Sequence, residues 1–180
     1  MAKQLSRLNS ALQTFIEQQK IFFVSTAMRE GRINLSPKGM DTLRVIDSNK
    51  VVWLNLTGSG NETAAHLLES NRMTMMFCAF EGNPLILRLY GQAKVYHERD
   101  EAYQQYIELF PALSGVRQAI ELNIDLVQTS CGYAVPLMDY REERTRLTKW
   151  ADDKGEEGIK KYWEEKNTLS LDGHPTGIFE

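Results

Sequence analysis

The densest group of ligand-binding residue types is Thr57-Gly58-Ser59-Gly60-Asn61-Glu62-Thr63. Gly58 and Gly60 let the backbone approach a ligand closely. Ser59, Asn61 and Thr63 offer short hydrogen-bonding side chains. A helix is expected to begin here, and free N–H groups at a helix start attract anions such as phosphate. The same residues also suit an ordinary loop with an Asn cap. The segment matches neither a P-loop nor a full dinucleotide fingerprint. Glu62 suits a helix N-terminus but would repel a phosphate placed there. Two cations lie upstream. Lys38 ends a strand-like run, and Arg44 sits within Leu43-Arg44-Val45-Ile46. An arginine there must reach solvent or a partner, and a guanidinium can hold a phosphate in bidentate fashion.

Other reactive types are read more plainly. Cys78 and Cys131 are far apart, fit no metal or redox spacing, and are expected to be small buried residues. Ser130 lacks a nucleophile elbow. His66, His97 and His174 have no second ligand at metal spacing, so exposed or capping roles are expected and a metal site is not. Trp53, Trp150 and Trp163 read as core or interface anchors. Asn167 and Ser170 read as residues that stop a helix.

The elements that would position these residues follow from periodicity. Leu5, Leu8, Leu12, Phe15 and Ile16 recur at helical spacing, with Ser6 or Ser10 as a cap. Ile21 to Ala27 and Ile33 to Ser36 read as strands joined through Glu30-Gly31-Arg32. Leu43 to Ile46 and Val51 to Leu56 form a second hairpin. A helix is expected from Asn61 to Glu69, then strands from Met73 to Phe80 and Leu85 to Val95. Asp100 to Phe110 reads as a helix, Leu126 to Val135 as a strand, and Arg141 to Lys166 as a helix broken at Gly155. Hairpins with short turns favour an antiparallel sheet or barrel with helices packed on it.

Composition narrows the function classes. The 180 residues are 42% hydrophobic and 25% charged, with net charge −3. A chain this long buries roughly 70% of its unfolded surface and needs no staples. No basic stripe suits nucleic acid. No apolar run of membrane-spanning length or signal-like block is present, so neither a membrane role nor secretion is expected, and the expectation is a cytoplasmic protein.

Together the segments resemble the pyridoxamine 5'-phosphate oxidase-like family of flavin-binding split barrels. The resemblance runs from Phe22-Phe23-Val24-Ser25-Thr26 through Asn34-Leu35-Ser36-Pro37-Lys38-Gly39, Leu43 to Ile46 and the Thr57 to Thr63 loop. It continues through Leu67 to Phe77 and Leu85 to Val95. It implies a mainly β fold with added helices, a six-stranded antiparallel split barrel that forms a homodimer. It implies one domain over 1–180, with a helical extension from about 141. It also implies FMN at the dimer interface. Thr57, Gly58, Ser59, Gly60, Asn61 and Thr63 would then lie near the phosphate, Thr42, Leu43 and Arg44 along the ring, and Lys38 close to the ring or ribityl chain. The implied function is an FMN-dependent oxidoreductase acting on a small molecule. The alternative is a non-catalytic flavin- or haem-binding module in stress response, storage or sensing. The vitamin-making members carry an Arg-Lys pair where this chain has Glu62-Thr63. Lys38 or Arg44 is the candidate to compensate. The tail from Asp172 to Glu180 also differs from the basic tail that binds their pyridoxal substrate, so pyridoxamine phosphate is not the expected substrate.

Overall fold

The structure is a computed structural model that describes residues 2–180. It begins with β1 (Lys3–Leu5), α1 (Ser10–Gln18), β2 (Phe22–Thr26) and β3 (Asn34–Lys38). There follow β4 (Leu43–Asp47), β5 (Lys50–Leu56), α2 (Glu62–Glu69), β6 (Arg72–Cys78) and β7 (Ile86–Tyr96). The chain closes with α3 (Glu101–Ile107), β8 (Val116–Ser130) and α4 (Arg146–Lys166).

All strand pairings are antiparallel and belong to one sheet. The path is β3-β2-β6-β7-β8-β5-β4, with β1 added beside β8. The expected six strands are therefore eight, and the ladder does not close into a ring. The length of β8 explains part of the difference. Residues 116–123 pair with β5, while Val127, Gln128 and Thr129 pair with β1, so two strands share one edge. The three residues of β1 are all exposed and carry no period-two pattern to reveal them.

The clearest correction concerns β8 itself. The sequence pattern places a strand over Leu126 to Val135, yet β8 begins ten residues earlier and ends at Ser130. Arg117 to Leu122 are all buried, so both faces of the strand are covered and alternation vanishes. Cys131 lies beyond the strand and is exposed, while Cys78 is buried as expected. At the other end, Asn9 caps α1 rather than Ser6 or Ser10, its Oδ1 accepting from the Leu12 N–H at 2.9 Å. Residues 141–145 are not helical, and α4 starts at Arg146. It bends at Gly155, whose φ of 64° and ψ of 174° interrupt the helix.

The period-two pattern of β5 explains the layers. Val51 and Trp53 join the main core with Leu12, Phe22, Phe77, Leu87 and Leu122. Val52 and Leu54 face the other way, against Tyr103 and Phe110. A third cluster joins Ala151, Ile159, Trp163 and Ile178, which ties α4 to the C-terminal segment. Among the described residues, no helix is long and apolar enough to cross a membrane.

The β7–β8 ladder shifts register between Tyr90 and Gly91. A Cβ on Gly91 would lie 1.9 Å from the Asn123 carbonyl oxygen. Both partners are backbone, so the clash has no cheap relief. Gly91→Ala should therefore destabilise the chain by about 3 kcal/mol in denaturant unfolding. A loss within the roughly 0.5 kcal/mol of an ordinary surface change would show that the ladder does not hold this approach.

Candidate functional site

The glycine-rich loop leaves β5 at Leu56 and enters α2 at Glu62. Its polar groups point in two directions. The Thr57 N–H and Oγ1 both donate to the Gly115 carbonyl, each at 2.8 Å. Trp163 Nε1 donates to Thr57 Oγ1 at 2.8 Å. The Thr57 hydroxyl is thus committed to the scaffold. The Gly58 carbonyl accepts from Asn167 Nδ2 at 3.1 Å, and the Gly60 carbonyl accepts from Arg117 Nη1 at 3.0 Å. Holding these carbonyls on the protein side leaves the first-turn N–H groups of α2 without intrahelical partners. Asn61 makes no side-chain cap hydrogen bond to them.

In front of the loop is a hollow of about 280 Å³. Ser59 and Thr63 line it from the loop and α2, Lys38 and Ser36 from β3, Asn55 from β5 and Arg117 from β8. Asn34 Nδ2 donates to Thr63 Oγ1 at 3.1 Å, which ties β3 to α2. The hollow therefore collects residues from three strands and one helix.

Its electrostatics depend on two cations. Arg117 is only 4% exposed, and burial lowers its pKa to about 10 despite the opposing pull of the Glu62 charge. Lys38 is half-buried. Burial, with the positive charge of Arg117 as the smaller cause, lowers its pKa to about 8. Its Nζ lies 4.8 Å from the centre of the Trp53 ring. Among the described residues neither cation forms an ion pair. Arg117 Nε and Asn61 Oδ1 are buried without a hydrogen-bond partner. A buried charge without an ion-pair partner is costly, and the Glu62 charge offsets it only in part, so a further anion in this hollow would relieve both cations.

Glu62 is present at the same place. Its Oε1 accepts from the Leu171 N–H at 3.1 Å, so the carboxylate anchors the C-terminal segment. Gly60 lies close against it: a Cβ there would lie 2.6 Å from Glu62 Oε2 and would push that carboxylate aside.

Thr42, Leu43 and Arg44 are placed elsewhere, along a separate hollow of about 330 Å³ with Phe22 and Phe77. Arg44 Nη1 and Nη2 donate to the Asp41 carboxylate at 2.6 and 2.9 Å, and Nε donates to the Leu109 carbonyl at 3.0 Å. Its guanidinium carbon lies 4.5 Å from the centre of the Phe110 ring. Arg44 is thus engaged by its own turn, and Arg117 takes the place at the loop for which Arg44 was a candidate. That turn carries Met40 and Asp41 at φ of 65° and 54°, two successive positive-φ residues just before β4. Thr42 Oγ1 donates to the Gly39 carbonyl at 2.7 Å and closes it.

Sequence reading misses Arg117 because its strand goes unrecognised, and it reads Asn167 as a helix stop, which the residue is at the C-cap of α4, without its contact to Arg117. Of the histidines, His174 is exposed as expected and the other two are not. His66 is buried, with Nδ1 3.1 Å from Thr26 Oγ1. His97 is buried too, and burial with the nearby Arg99 charge lowers its pKa to about 4. Among the described residues no three His, Cys, Asp or Glu side chains cluster as metal ligands would.

Known proteins resemble this chain in sequence or in fold. The family described as pyridoxamine 5'-phosphate oxidase matches residues 8–131. The Aspergillus flavus pyridoxamine 5'-phosphate oxidase family protein ustO is 38% identical over 188 aligned positions, covering 93% of this chain and 75% of that protein. Among solved structures, a putative pyridoxamine 5'-phosphate oxidase from Lactobacillus delbrueckii is similar with TM-score 0.53 and 17% identity, over 68% of this chain and 94% of that one. Group A Streptococcus HupZ is similar with TM-score 0.52 and 16% identity, over 66% of this chain and 91% of that one. An FAD binding protein from Mycobacterium smegmatis is similar with TM-score 0.50 and 12% identity, over 70% and 97%. The solved structures share the fold, and the sequence matches decide the lineage: the chain belongs to the pyridoxamine 5'-phosphate oxidase family.

Proposed function

We propose that this chain binds flavin mononucleotide by its phosphate in the Lys38–Arg117 hollow and acts as an oxidoreductase on a small molecule. One observation carries the reading. Lys38 and Arg117 face the first turn of α2 together, and neither forms an ion pair among the described residues, although Glu62 lines the same hollow and its charge reaches Arg117. A phosphate group matches this site in charge and in acceptor count. It can take charge-assisted hydrogen bonds from both cations and from free helix N–H groups. Lys38 and Arg117 then supply the two charges that the family's Arg-Lys pair would have provided at Glu62-Thr63. Family membership and the fold of the FAD binding protein from Mycobacterium smegmatis support a flavin in general. The preference for FMN rests on the hollow, which suits a terminal phosphate.

A bound flavin would supply the electron-transfer chemistry. The residues of this chain would hold it. Arg117, Lys38, Ser59 and Thr63 would bind the phosphate. The strand carrying Thr42, Leu43 and Arg44 is proposed to lie along a ring. The loop hollow, at about 280 Å³, is below the roughly 300–1,000 Å³ of complete small-molecule sites. The family resemblance is the ground for proposing that another copy supplies a further wall, in a homodimer with 1–180 acting as one domain. Sedimentation at micromolar concentration should show two chains, and a monomer would remove the second wall.

Titration by flavin fluorescence tests the reading. FMN should bind at least about tenfold more tightly than riboflavin, since the difference is a set of hydrogen bonds to charged groups. Arg117→Ala should erase that preference. Equal affinity for FMN and riboflavin in the parent protein would refute the phosphate assignment. Saturable oxidation of NADH or NADPH would support catalysis, and flavin binding without turnover would favour a binding module.

The Lys38 pKa of about 8 sets a pH dependence. Lys38 in the ligand-free chain loses its charge as pH rises through about 8, so FMN affinity should fall between pH 7 and 9. Stability of the ligand-free chain moves the opposite way. The folded state holds fewer protons at Lys38 than the unfolded state, whose pKa is near 10.5. Its contribution opposes folding below about 8, and that opposition fades as pH approaches 10.5. Lys38→Met should therefore be at least as stable as the parent at pH 7 while binding FMN more weakly. A lower melting temperature for this variant would contradict the account of Lys38.

A further inference from the structure

Asn167 follows α4 and lies outside the residues that the family description matches. It is fully buried, at 0% exposure. Its amide connects two parts of the phosphate hollow. Oδ1 accepts from Arg117 Nη1 at 2.7 Å, and Nδ2 donates to the Gly58 carbonyl at 3.1 Å. Its backbone is used as well. The carbonyl accepts from Thr176 Oγ1 at 2.6 Å and from Asn61 Nδ2 at 3.4 Å.

The segment that follows is built onto the same loop. The Ser170 N–H donates to the His174 carbonyl at 2.8 Å, and the Thr176 N–H to the Thr168 carbonyl at 3.0 Å. Asp172 pairs with Arg32. Arg99 donates to the carbonyls of Gly177 and Ile178 at 2.8 and 3.0 Å. The Leu171 N–H reaches Glu62. Asn167 is where this folded segment meets the guanidinium.

We propose that Asn167 is a positioning residue for the anion hollow. It orients the Arg117 guanidinium and the glycine loop for phosphate without discharging the cation, and so couples the C-terminal segment to ligand binding. The proposal rests on the phosphate reading above. The chemistry of the side chain makes the argument. Arg117 can only donate and the Gly58 carbonyl can only accept. A carboxamide satisfies both and adds no charge. A carboxylate would pair with Arg117, cancel its charge toward an incoming anion, and face the Gly58 carbonyl with a second acceptor. An aliphatic side chain would leave the Gly58 carbonyl without this donor and Arg117 with the Gly60 carbonyl alone.

Asn167→Asp and Asn167→Ala test this with FMN and riboflavin titrated side by side and thermal unfolding measured on each protein. Both variants should lose at least about tenfold in FMN affinity, while riboflavin affinity moves by less than about threefold. Asn167→Asp should melt closer to the parent than Asn167→Ala, because it keeps a contact to Arg117. Equal losses for both flavins would mean a structural role only and overturn the proposal. So would Asn167→Asp binding FMN as the parent does. A parent that prefers FMN while the variants also do so refutes Asn167 alone. A parent with no preference for FMN refutes the phosphate reading and the proposal with it. If neither variant folds, hydrogen exchange on the parent decides. FMN must slow exchange across residues 167–178 more than riboflavin does, and equal or absent protection overturns the proposal.

Discussion

A buried guanidinium that forms no ion pair among the described residues is the constraint around which the site is arranged. Arg117 is 4% exposed and donates only to neutral oxygens, the Gly60 carbonyl and the Asn167 amide. These acceptors leave its Nε without a hydrogen-bond partner, and the nearby Glu62 carboxylate offsets its charge only in part. The Lys38 ammonium nearby raises the local positive potential. Burial lowers both pKa values, and the Arg117 charge adds to the effect on Lys38. Such a pair opposes folding of the empty chain. Its presence at a helix N-terminus is intelligible if an anion is the missing partner.

The surrounding fold is what makes this arrangement rigid. β5 and β8 are covered on both sides, by the main core and by the layer of Tyr103 and Phe110. A strand held from both faces has little freedom to let Arg117 escape to solvent. Thr57 is secured at the start of the loop by Gly115 and Trp163, so α4 fixes the loop from behind. Glu62, in the first turn of α2, binds the C-terminal segment through the Leu171 N–H. This carboxylate and the tail are two parts of one local solution.

Much of the scaffold is legible in the sequence because its patterns are local. The hairpins of β2 with β3 and of β4 with β5, the alternation along β7 and the start of α2 after Asn61 all follow from period and turn residues. The loop's glycines and Lys38 are recognisable for the same reason. What fails is non-local. Arg117 and Asn167 are 50 residues apart, and their meeting depends on α4 returning over the loop. A strand buried on both faces carries no alternation, so β8 is displaced and its arginine overlooked. Arg44 looks free in sequence, but its own turn supplies the Asp41 carboxylate three residues earlier. Short-range partners of that kind are readable, and weighing Asp41 would have favoured another cation.

The most direct test of the central claim is a crystal structure of the chain grown with FMN. The account predicts phosphorus density in front of the α2 N-terminus, with phosphate oxygens within about 3 Å of the Lys38 Nζ and an Arg117 guanidinium nitrogen. A flavin bound with its phosphate away from both side chains would contradict it. So would a hollow that stays filled by water at saturating FMN.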